Sequence, residues 1–143
     1  MAFDPTTGKS PYCTDDPTVH EISYNGLSPV QGDSARLLMR PALGEQLMKK
    51  GGRSVPLSSK PRSAITLTGH QATAVAWFDE RGGWTTSTAF TKEPVAFLKA
   101  FLDANPMSAD AGKVWDRSMP LASYQGEDNG KGEGKVAGWT NVF

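Results

Sequence analysis

The stretch 54–70 most limits what this chain can fold into, because glycine and proline punctuate it at fixed places. Gly51-Gly52 breaks whatever precedes it. Residues 54–59 then carry Val55 and Leu57 at alternate positions, the pattern of a short strand. Pro61 pushes Lys60 toward an extended backbone and itself suits the first position of a helix. That puts Ser59 or Lys60 at a cap, a short helix over 63–67, and its end at Gly69. The β-branched Ile65, Thr66 and Thr68 suit a second strand as well, so helix and strand compete here. On the helix reading, Lys60 and Arg62 stand at the carboxyl end of a strand and the amino end of a helix. Backbone N–H groups and the helix dipole favour an anion at that junction. Lysine brings a compact charge and arginine a planar fork, a pair suited to phosphate oxygens. The same two residues also read as solvated charges flanking a turn.

The 143 residues suffice for one modest domain with one core, taken here as a single partial domain over 1–143 without internal repeats. Lys+Arg 15 balances Asp+Glu 15, and a pI near 6.7 gives no basic field for nucleic acid or an anionic membrane. With 15 Gly and 10 Pro the chain should be rich in loops. No apolar run is long enough to span a bilayer, and the N-terminus lacks a basic-then-apolar signal peptide. The single cysteine, Cys13, excludes an internal disulfide and a cysteine metal cage. Only two histidines are present and neither is placed beside it, so Cys13 reads as a plain thiol and not a nucleophile.

Along the chain, 3–9 and 12–18 are turn chemistry, with 19–24 extended. Asp15 and Asp16 read as a solvated acidic turn, not as metal ligands. Residues 1–32 should be the least regular region. Asp33 or Ser34 caps a helix carrying Leu37, Leu38, Leu43 and Leu47, with Met39 and Met48 beside them, all facing the core. Pro41 should kink or split that helix, and Lys49-Lys50-Gly51-Gly52 ends it. His70 reads as a structural or supporting histidine: the chain has one other histidine and no carboxylate at ligand spacing. A strand over 74–79, a turn over 80–83 and a returning strand over 84–90 form a hairpin. Trp77 and Trp84 flank its turn and read as paired across the strands, as covering the hairpin's inner face, or as a sugar-binding platform. A helix over 93–104 has Thr91 as cap and Val95, Leu98, Phe101 and Leu102 as its apolar stripe, and it should pack on the hairpin. Beyond it come a connector, a buried Trp115, and an exposed Gly-rich loop over 125–135. That loop lacks the Lys-Ser/Thr ending of a phosphate-binding P-loop. Residues 136–143 then stop without a capping element. The sum is an α+β fold with short strands, one β-hairpin and two to four helices.

Several separated motifs carry a family resemblance. Ser58-Ser-Lys-Pro-Arg-Ser-Ala-Ile-Thr-Leu-Thr-Gly-His70 resembles a segment of bacterial single-chain alkaline phosphatases. These belong to the alkaline phosphatase superfamily, with type I phosphodiesterases and nucleotide pyrophosphatases. Asp4-Pro-Thr-Thr-Gly-Lys9 with Tyr12-Cys13, the 34–47 segment and the 74–90 hairpin resemble the same family in the same order. Ala42 and Glu45 depart mildly, standing where the family has threonine and aspartate.

The resemblance implies an internal section of an α/β alkaline-phosphatase-like catalytic domain. In it Lys60 and Arg62 contact the substrate phosphate. The whole enzyme is expected to hold two zinc ions between aspartate and histidine ligands, with a threonine or serine nucleophile. Those motifs are absent here, so the chain is expected to contain no catalytic residue and no metal ligand, to bind no cofactor alone, and to be inactive in isolation. The expected partners are a phosphate ester or inorganic phosphate and the remainder of the catalytic domain, with no nucleic acid and no membrane. The family implies a periplasmic or secreted location. A Lys-x-Arg pair supplies extra cationic donors for the three terminal oxygens of a monoester, pointing to a phosphomonoesterase. The alternatives are a phosphodiesterase or nucleotide pyrophosphatase section, and a non-catalytic module using Trp77, Trp84 or Trp139 against a carbohydrate or partner. A purely structural interaction piece, exposing sheet edges, is the third.

Overall fold

The structure, a computed structural model, describes residues 8, 10–110, 113–115, 118–123, 125, 140 and 141. The turn expected at 3–9 (Gly8 apart), most of the Gly-rich run and Trp139 lie outside the described residues. The fold is α+β. The chain divides into two compact units, Met1–Asp103 and Ala104–Phe143.

In the first unit a five-stranded mixed sheet has the order β2-β1-β5-β4-β3. Its strands are β1 (Asp15–Ser23), β2 (Gln31–Asp33), β3 (Leu57–Ser58), β4 (Ala76–Asp79) and β5 (Gly83–Ser87). Its helices are α1 (Leu43–Lys49), α2 (Pro61–Thr68) and α3 (Ala96–Ala104). β4 and β5 form the expected hairpin, and β1 pairs antiparallel with β5, Glu21 opposite Ser87. β3 pairs parallel with β4, so α2 is the crossover of a β3–α2–β4 unit.

Alternation along β4 and the residues before it builds a core on each face of the sheet. Val75 and Trp77 pack with Ala35, Ala64 and Ile65 on one face, and Ala74 and Ala76 pack with Tyr24 and Leu98 on the other. Trp84, Val95 and Leu102 cover the second cluster, so hairpin and α3 pack together. Fully burying a side chain such as Ile65 contributes about 1.5–3 kcal/mol. Between the two cores β5 is polar: Thr85, Thr86 and Ser87 are all fully buried. Ser87 Oγ donates to Asp33 O at 2.5 Å, which stitches the centre of the sheet to β2. At the hairpin turn the Arg81 guanidinium bonds Asp79 and Ser28 O and reaches the buried Glu21 carboxylate.

Several expectations are corrected. Residues 15–23 form β1, an interior strand, so 1–32 is not uniformly irregular; the pairing with β2 is interrupted between Asp15 and His20, and Pro17, which has no N–H to give, lies there. Asp16 is buried, not solvated: it accepts hydrogen bonds from Ser34 Oγ at 2.6 Å and from Thr18 Oγ1 at 2.6 Å. The helix expected from Ser34 forms only from Leu43, after Pro41. With its first turns missing, the leucine stripe does not face the core: Leu37, Met39, Leu43 and Leu47 are exposed, and only Leu38 packs on a core cluster. The strand over 54–59 shrinks to two residues, leaving Val55 exposed. Trp77 and Trp84 do not pair. Trp77 faces Thr85 and Phe78 faces Trp84, and this one-residue offset sends the two indoles to opposite faces. α3 starts at Ala96, three residues later than expected, and Phe101 is exposed.

In the second unit, β6 (Val114–Trp115) pairs parallel with β7 (Thr140–Asn141). A 3₁₀ turn, Met107–Ala109, precedes it, and Lys113 Nζ bonds Asp110 at 2.7 Å. No helix among the described residues is long and apolar enough to cross a membrane.

Candidate functional site

The junction between β3 and α2 forms as proline chemistry dictates. Lys60 caps α2 with extended geometry (φ −143°, ψ 139°), and Pro61 follows at the helix start. The Lys60 N–H donates to Ser58 Oγ at 3.2 Å. The helix ladder begins where Ala64 N–H donates to Lys60 O, so the N–H groups of Arg62 and Ser63 stand ahead of it at the positive end of the dipole. Helix therefore prevails over the rival strand. Ala64 and Ile65 are drawn into the core while Lys60, Arg62 and Thr66 stay exposed.

α2 is seated by α1. Gly44 lies so close to it that an added Cβ would stand 2.8 Å from Thr68 Cα. Ser54 Oγ and Thr68 Oγ1 share a buried hydrogen bond of 2.9 Å below. Past the end of α2, Gly69 (φ 76°) brings the chain against Glu45, where an added Cβ would lie 2.6 Å from the carboxyl carbon. His70 Nδ1 stands 2.9 Å from Glu45 Oε1 and its N–H donates to the same oxygen. His70 thus belongs to a helix-joining contact.

Arg62 has a partner that spacing alone could not show. Its guanidinium carbon lies 5.6 Å from the centroid of the Tyr12 ring, a cation–π distance. Tyr12 is held in place because its N–H donates to Asp15 Oδ2 at 2.6 Å and its carbonyl accepts from Asp15 N–H at 3.1 Å. Tyr12, Leu37, Leu38, Ile65, Thr66 and Arg62 are among the walls of a cleft of about 360 Å³. Lys60 is not among its lining residues, so the two cations flank the start of α2 without sharing one pocket. Exposed Cys13 lines the same cleft. Among the described residues neither Lys60 nor Arg62 makes an ion pair; the cations that do are Arg36, His70, Arg81, Lys99 and Lys113.

The other candidates separate from this site. Trp77 is 2% exposed and unavailable to a sugar, and Trp84 packs edge-on against Phe78 with ring centroids 5.8 Å apart. Among the described residues no group of three or more His, Cys, Asp or Glu converges to hold a metal ion.

No family model matches the chain. Over 138 residues it is 33% identical to the alkaline phosphatase PafA of Elizabethkingia meningoseptica, covering 92% of the chain and 25% of that protein. Over 122 residues it is 27% identical to a protein named calcium-transporting ATPase from Myroides odoratus, covering 82% of the chain and 22% of that protein. The crystal structure of wild-type alkaline phosphatase PafA matches with a TM-score of 0.70 at 31% identity, over 94% of this chain and 27% of that one. A PafA variant substituted at a threonine, an asparagine, a lysine and an arginine matches with a TM-score of 0.72 at 30% identity, over 93% of this chain and 27% of that one. The chain spans about a quarter of the length of these relatives.

Proposed function

We infer that this chain belongs to the alkaline phosphatase superfamily and supplies the substrate-phosphate-binding section of a metal-dependent phosphate monoester hydrolase. Lys60 and Arg62 each bond terminal phosphate oxygens. The observation that carries this reading is a pair of exposed cations at the positive end of α2 that, among the described residues, make no ion pair. Arg62 is further held by Tyr12, so less freedom is lost when its planar fork meets an anion. The substituted lysine and arginine of the PafA variant stand two positions apart, the spacing of Lys60 and Arg62. ATP hydrolysis, named for the Myroides relative, also calls for a grip on a phosphoryl group.

These residues bind and orient; they do not cleave. The nucleophile and the metal ions belong to the rest of such an enzyme, and the isolated chain is inactive. The metal ions, when bound, neutralise charge on the phosphoryl group and activate the nucleophile. What Lys60 and Arg62 add is charge-assisted hydrogen bonding to oxygens that grow more negative in the transition state.

The test is a titration of the ¹⁵N-labelled chain with inorganic phosphate. The Arg62 Nε–H and the backbone N–H groups of Arg62 and Ser63 should shift together, and both responses should vanish in Arg62→Ala or weaken in Lys60→Ala. Absence of any response at the start of α2 would remove the reading.

A further inference from the structure

We propose that the cleft bounded by Tyr12, Leu37 and Leu38, with Arg62 at its rim, is the subsite for the organic group of the phosphate ester, and that it takes a flat aromatic or similarly compact apolar group. This rests on the phosphate reading of Arg62. Three observations carry it. The volume, about 360 Å³, lies within the usual range of small-molecule sites. The walls are mainly apolar and aromatic, Ser10, Thr14, Ser34 and Thr66 add a few hydroxyls, and Arg62 alone carries charge among the described residues that line it. Tyr12 and Leu37 remain 42% and 45% exposed, so apolar surface stays in water beside a cation that makes no ion pair among the described residues. A free phosphate ion leaves those walls wet; an ester places its anion on Arg62 and its organic group against them. The Tyr12 ring serves both halves, since one face supports the guanidinium and the side chain also forms cleft wall. Substrate preference then resides in segments more than twenty residues from the Lys-Pro-Arg run, namely 10–14 and 34–38.

The experiment uses the full chain with labelled arginine side chains and leucine methyls, titrated at mildly alkaline pH with inorganic phosphate, methyl phosphate and phenyl phosphate. Inorganic and methyl phosphate should shift Arg62 and leave the methyls of Leu37 and Leu38 unmoved. Phenyl phosphate should shift all three residues and bind about tenfold tighter than methyl phosphate, the gain expected from covering part of one ring. Leu37→Ser, a change at an exposed position, should keep inorganic phosphate binding and lose that gain. If Arg62 responds to inorganic phosphate while phenyl and methyl phosphate bind alike and the methyls stay still, the cleft assignment is overturned and the phosphate site stands. If Arg62 responds to none of the three, the phosphate reading falls and the subsite with it.

Discussion

Glu45 joins the start of one helix to the end of another through His70: one carboxylate oxygen accepts the His70 N–H at 2.9 Å, and the other accepts the Ala42 N–H at 2.9 Å. Glu45→Ala strands both donors. The cost should be about 2–3 kcal/mol, read as a shift in the urea midpoint without a change in slope. Gly69→Ala should disturb the same contact from the other side, since its φ of 76° and its distance to Glu45 both exclude a Cβ. Combining the two should cost less than their sum; full additivity would show that Gly69 does not act through Glu45.

Acid should weaken the fold through Asp16 and Glu45. Burial alone would raise both, but hydrogen bonds outweigh it: Ser34 and Thr18 for Asp16, His70 and Ala42 for Glu45. Both carboxyls therefore titrate below their ordinary values of 3.8 and 4.5. The stability they contribute is complete above those values and lost as pH falls through the lowered ones. Asp33 works the other way, because burial raises it. Thermal midpoints should hold near neutrality and drop below about pH 4, and Asp16→Asn should flatten the drop. An unchanged acid profile in that variant would refute the assignment.

Hydrogen exchange should be slowest in β5, which is paired on both sides by β1 and β4 and carries buried Thr85, Thr86 and Ser87. β3, two residues at the sheet edge, should exchange fast. Equal protection in the two strands would mean that the sheet opens as a single cooperative unit, and would refute this gradient.

Arg62→Ala, made in a whole enzyme containing this section, should cost about 1.5–3 kcal/mol of transition-state binding, as for a charge-assisted hydrogen bond. The loss should fall on monoesters far more than on methyl-capped diesters with the same leaving group. Equal losses would favour the phosphodiesterase reading. The isolated chain given zinc and an aryl phosphate should show no turnover above buffer, and turnover abolished by Lys60→Ala would place catalysis inside it.

What could be read in advance was local. Pro61 and Gly69 mark both ends of α2, and the Gly82-Gly83 turn with β-branched flanks marks the hairpin, because these signals act within a few residues. The place of Lys60 and Arg62 at the start of α2 was legible for the same reason, whereas their phosphate role rests on the family resemblance. Leu37 and Met39 misled because their spacing is helical while Pro41 denies them the helix. Asp16 looked like turn chemistry, and only its pairing with Ser34 buries it. Tyr12 was out of reach: it meets Arg62 fifty positions away through tertiary packing alone, and no periodicity records such a contact.

The pairing of β1 with β5 carries a consequence for the chain as it is made. Glu21 and Ser87 lie opposite each other although more than sixty residues separate them. On a ribosome β1 and β2 can meet early, yet the middle of the sheet stays vacant until the second arm of the hairpin has cleared the exit tunnel. Until then Glu21 has neither Arg81 nor β5 beside it, and that edge of β1 is open to other chains. Closing so long a loop is slow compared with forming α2. Nascent-chain yield should therefore depend on how quickly residues 60–90 are translated: pausing there prolongs the aggregation-prone interval, and swift passage shortens it.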